Sequence, residues 1–136
     1  MPDKLSASSE RPSSEEELDE ICRAAYNLAR KGNSAEALEL CNWLIADDAT
    51  QTAGYRQRAA IKEYMADIDG AILDLQAVVA VCLDEPADFY SLGILLLKSG
   101  ATVEAINAFG TAIEIGIEAN HHYYTNGAFL FRAEAH

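Results

Sequence analysis

Few residues of this chain have types and spacings that could do chemistry. They are Cys22, Cys41 and Cys82, the histidines His121, His122 and His136, and the acidic run Asp67-Ile68-Asp69-Gly70. The run looks like part of a calcium loop, which needs oxygen ligands at alternate positions and a bidentate carboxylate at the end. Here the first ligand position would be Met65 and the last Gln76, so a helix start with carboxylates near the positive end of the dipole explains the run better. His121 and His122 are adjacent, so on a helix they diverge by about 100° and cannot share a metal. The cysteines are odd in number and far apart, which suggests neither a disulfide framework nor a zinc knuckle. No Ser or Cys nucleophile has an assignable His and acid partner, and there is no Gly-rich phosphate loop. These readings imply no enzyme, no metal ligands and no cofactor.

The elements that carry these residues recur every 34 positions. Ala25, Ala59, Gly93 and Gly127 keep that step, as do Ile21, Tyr55, Phe89 and Tyr123. Gly32, Ala66 and Gly100 mark tight turns, where a left-handed backbone is needed. Ala37, Cys41 and Leu44 form one helix stripe, repeated by Ala71, Leu75 and Val78 and again by Ala105, Phe109 and Ala112. Each period therefore reads as two helices that cross at small residues, with large residues filling the space around the crossing. A strict repeat of this kind predicts an all-α solenoid that presents a surface to other chains.

The runs Arg58-Ala59-Ala60-Ile61-Lys62 with Asp67-Ile68-Asp69-Gly70-Ala71-Ile72, and Leu92-Gly93 with Lys98-Ser99-Gly100 and Glu104-Ala105-Ile106, resemble the tetratricopeptide repeat. The resemblance implies a right-handed α-solenoid of helix-turn-helix units over residues 16–136, three units plus the first helix of a fourth. Residues 1–15, polar and Ser-rich, read as a disordered tail, with order starting near Ser14 through a capping box with Glu17. Pro86 falls in the connection before the third unit.

In tetratricopeptide domains the first helices line the concave side, which implies a partner-binding groove. Its positions would be filled here by Tyr26 and Arg30; by Arg56, Gln57, Glu63 and Tyr64; by Tyr90, Ile94, Leu97 and Lys98; and by Tyr124, Phe131 and Arg132. Aromatic residues and Arg are frequent binding anchors, so the groove suits a peptide or helix. The positions that clamp acidic chaperone tails in some members of the family hold Cys22, Tyr26, Gln57, Ala87 and Ser91, without a cation. Such tails are not expected as ligands.

The net charge is −12, from ten basic and 22 acidic residues. An acidic chain repels phosphate backbones, which argues against nucleic acid as a partner. The basic residues outside the tail lie in first helices or at their ends. The second helices carry acids, including Glu36, Glu39, Asp69, Asp74 and Glu104, which the resemblance places on an acidic, solvated back. No apolar run is long enough for a bilayer, so no membrane role is expected. Unpaired cysteines suggest a reducing, cytoplasmic setting.

The last stretch contains Tyr123, Tyr124, Phe129, Leu130 and Phe131 and lacks a covering second helix. Self-association through that helix, a partner that covers it, or truncation of a longer array would each account for it. The main functional expectation is a non-enzymatic adaptor that holds a peptide or helix of another protein. A dedicated one-partner protein, such as a bacterial secretion chaperone or a toxin-neutralising immunity protein, is the alternative, and an enzyme is the remote third.

Overall fold

The turns after Arg30, Tyr64 and Ser99 are closed by backbone hydrogen bonds that recur with the sequence period. The computed structural model describes residues 11–119. Within them lie α1 (Glu15–Arg30), α2 (Ser34–Ile45), α3 (Gln51–Tyr64), α4 (Ile68–Val81), α5 (Pro86–Ser99) and α6 (Thr102–Ala119), and no strand among the described residues. The fold is all-α and built of helix-turn-helix units in the expected register. The fourth-unit helix lies outside the described residues.

The three tight turns are closed identically. Gly32, Ala66 and Gly100 have φ of 91°, 67° and 91°. The left-handed residue lets the next N–H reach back over the helix end: Asn33 donates to Leu28 O, Asp67 to Lys62 O and Ala101 to Leu96 O, at 2.8, 2.7 and 2.9 Å. Each chain then restarts as a helix at once, with Ala37, Ala71 and Ala105 donating to Asn33, Asp67 and Ala101, each at 3.0 Å. Asp67 also caps α4, its Oδ1 accepting from Gly70 N at 3.0 Å, so the acidic run is a helix start.

At the entry to α1, Ser14 Oγ accepts from Glu17 N at 3.2 Å. The reciprocal half of the expected capping box is displaced by one residue. Glu17 Oε1 takes the N–H of Ser13 at 2.7 Å and its hydroxyl at 3.0 Å, and these two bonds hold the Glu17 carboxyl below its ordinary pKa. Pro86 is the buried first residue of α5. Its missing N–H costs nothing there, because first-turn N–H groups have no intrahelical acceptor.

The chain divides into two compact units, residues 1–74 and 75–136, with the division inside α4. In the first, α1, α2 and α3 pack around Ala25, Ala29, Ala37, Leu40, Cys41 and Ile61. Small residues at the crossings let the helix axes approach closely. In the second, α5 packs on α6 with the Phe109 ring laid against Gly93, where an added Cβ would stand 2.5 Å from Phe109 Cε1. The small-residue series and the stripe through Ala37, Ala71 and Ala105 are buried wherever described.

Candidate partner-binding surface

Within the first unit, two of the expected groove residues meet. Tyr26 of α1 and Tyr64 of α3 pack edge to face with ring centroids 5.8 Å apart. Tyr64 keeps 51% of its surface exposed and Met65 beside it is exposed as well. This places aromatic surface where one end is anchored and the other is open, the arrangement that gives a binding anchor little entropy to lose. Arg30 is exposed, while Arg56, Gln57 and Glu63 are partly buried on α1's neighbour α3.

Within the second unit the expected residues lie on α5. Tyr90 is partly buried, with its ring 5.8 Å from that of Phe109 in an edge-to-face contact. It therefore carries part of the α5–α6 packing. Ile94 and Leu97 are partly buried and Lys98 is exposed. Tyr124, Phe131 and Arg132 lie outside the described residues.

Burial holds two of the thiols protonated. Cys41 is fully buried, and burial pushes its thiol up to about 12. Cys22 is partly buried and is also raised, first by burial and then by nearby Asp19. A protonated thiol is a poor nucleophile.

The most organised polar group was missed in the sequence, where Asp74 reads as part of an acidic back. Asp74 is instead 3% exposed. Arg58 grips it with two hydrogen bonds, Nε to Oδ2 at 2.9 Å and Nη2 to Oδ1 at 2.8 Å. The remaining Nη1 donates to Asn42 Oδ1 at 2.7 Å. Lys62 Nζ stands 3.4 Å from Asp74 Oδ2, and the guanidinium lies 5.4 Å from the Tyr55 ring centre. Arg58 thus ties α3 to both α2 and α4, and its pairing with Asp74 raises its own pKa. The signal was present in the period: positions 24 and 92, equivalent to Arg58, hold Ala and Leu; positions 28 and 96, equivalent to Lys62, hold Leu; positions 40 and 108, equivalent to Asp74, hold Leu and Ala. Charges at three positions that are apolar in the flanking repeats pointed to one another.

Among the described residues no helix is long and apolar enough to cross a membrane. No family model matches the chain, and no curated protein matches it in sequence. Solved structures do match. The crystal structure of PcrH from Pseudomonas aeruginosa superposes with a TM-score of 0.73 at 16% identity, covering 92% of this chain and 96% of that one. SycD, the type III secretion translocator chaperone of Yersinia enterocolitica, gives 0.71 at 18%, covering 91% and 86%. PcrH in complex with the chaperone binding region of PopD gives 0.71 at 16%, covering 92% and 95%. At these identities the likeness is one of fold, and it extends along nearly the whole of each chain.

Proposed function

We propose that this chain is a tetratricopeptide-type, non-enzymatic binding protein that acts as a dedicated chaperone, holding a segment of one exported partner until release. The observation that carries this reading is the end-to-end likeness in fold and length to PcrH and SycD. PcrH is solved with the chaperone binding regions of PopD and PopB, and SycD with a peptide of the translocator YopD. A dedicated chaperone fits better than a general adaptor, because the chain corresponds to those proteins as a whole. Three cysteines that form no disulfide accord with a reducing, cytoplasmic setting.

In this reading the first helices form the binding face. Tyr26 and Tyr64 supply aromatic anchorage, Ile94 and Leu97 apolar contact, and Arg30, Arg56, Lys98 and Arg132 orient an acidic or amphipathic segment. Gln57 and Glu63 on α3, Tyr90 on α5, and Tyr124 and Phe131 beyond the described residues are the further candidates for contact. Affinity purification from the native source should yield one stoichiometric partner; several weak ones would return the reading to an adaptor. With that partner's segment, Tyr64→Ala and Arg56→Ala should each weaken binding by about 1–2 kcal/mol in calorimetric titration. Unchanged affinity in both would move the binding face elsewhere.

A further inference from the structure

The end of α2 is completed by a residue far from it in sequence. No basic residue lies in the last turn of α2, yet each of its last four carbonyls has a donor. Asn42 O accepts from Ala46 N at 3.1 Å. Leu44 O takes the Thr50 hydroxyl at 2.7 Å, and Ile45 O takes Gln51 Nε2 at 3.2 Å. The donor to Trp43 O is Arg11, whose Nη1 lies 2.6 Å away. The same guanidinium sits over the Trp43 ring, with Cζ 4.3 Å from the ring centre.

Three attractions converge on that one group. The ring face offers its negative quadrupole, the carbonyl an acceptor, and the α2 terminus the negative end of its dipole. Only a planar cation can lie on the ring and donate sideways to the carbonyl at once. A lysine ammonium satisfies one or the other. Beyond Arg11 the chain runs directly into Pro12, Ser13 and the Ser14 cap of α1, so the contact joins the entry of α1 to the exit of α2.

We propose that Trp43 and the end of α2 form a guanidinium-binding site that the chain fills with its own Arg11, a latch that holds the segment entering α1 against the end of α2. Release of the latch uncovers the Trp43 ring and its carbonyl. This goes beyond the proposed chaperone role and does not depend on it.

Trp43 is the sole tryptophan, so its fluorescence reads this site alone. In the full chain, Arg11→Ala should raise acrylamide quenching of Trp43 and shift its emission to the red with unchanged far-ultraviolet circular dichroism. Loss of the stack and the charge-assisted bond should lower the closed-to-open ratio by roughly thirtyfold. Arg11→Lys should resemble Arg11→Ala more than the wild type. In the unaltered protein, the Arg11 Cδ protons should be moved upfield by the Trp43 ring current. Equal quenching in wild type and Arg11→Ala, full retention by Arg11→Lys, or unshifted Cδ protons would each overturn the latch.

Discussion

The α3–α4 crossing and the α5–α6 crossing occupy the same register 34 residues apart, yet they are held by opposite chemistry. Between α3 and α4 an arginine and a lysine converge on buried Asp74. Between α5 and α6 the equivalent positions are Leu92, Leu96 and Ala108, all buried, and a phenylalanine ring lies against a glycine. The repeat thus dictates where two helices cross and leaves open what fills the crossing. An apolar crossing gains from burial and tolerates small errors of position. The ionic crossing loses desolvation energy but accepts only one partner geometry, since Arg58 spends all three of its nitrogens on Asp74 and Asn42.

The largest effect should come from breaking the ionic crossing on one side. Asp74→Ala leaves two cations without their carboxylate and should cost about 3–5 kcal/mol in a denaturant titration. Converting the whole crossing to its counterpart, with Arg58→Leu, Lys62→Leu and Asp74→Ala together, should recover most of that loss. A triple variant as unstable as the single one would show that the two crossings are not interchangeable. Gly93→Ala comes next. Its Cβ would meet Phe109 Cε1, Cδ1 and Cζ at 2.5, 2.8 and 2.9 Å, so overpacking of about 1–3 kcal/mol is expected, offset in part by better helix propensity. Adding Phe109→Leu should relieve it, as thermal melts of the pair would register.

A smaller effect sharpens the comparison at the turns. Ala66 holds φ at 67° where its equivalents are glycine at 91°. Ala66→Gly should raise stability by about 0.5–1 kcal/mol, because a Cβ in the left-handed region is strained. Gly32→Ala and Gly100→Ala should lower it comparably. The smallest effect belongs to Glu17, whose folded pKa is depressed below its ordinary 4.5 by the Ser13 bonds. Its contribution is present above that value and fades as pH falls through the lower folded one, so Glu17→Gln should flatten the acid limb of a stability-against-pH curve.

The register of the fold was legible because it depends on local rules. Small residues at crossings, a left-handed residue at each turn and an apolar stripe on each second helix repeat without insertion, and each is a statement about residues within one helical hairpin. The surroundings of the proposed groove residues were less legible. Tyr64 is exposed, whereas Tyr90, at the equivalent of Arg56, packs against Phe109. Nothing in the local sequence of Tyr90 distinguishes an outward ring from one that finds a large neighbour 19 positions later.

Local periodicity, then, determined the paired helices among the described residues and which small residues lie at their contacts, since helix formation and capping are settled within a turn or two of chain. Tertiary structure decided which charges were buried and where Arg11 came to rest. Asp74 looks like any helical carboxylate until Arg58 and Lys62 fold over it, and Arg11 looks like part of a polar tail until α2 presents it with a ring and a carbonyl. Both outcomes turn on the meeting of side chains distant in sequence, where the balance of desolvation against pairing is fixed by three-dimensional position and by nothing nearer along the chain.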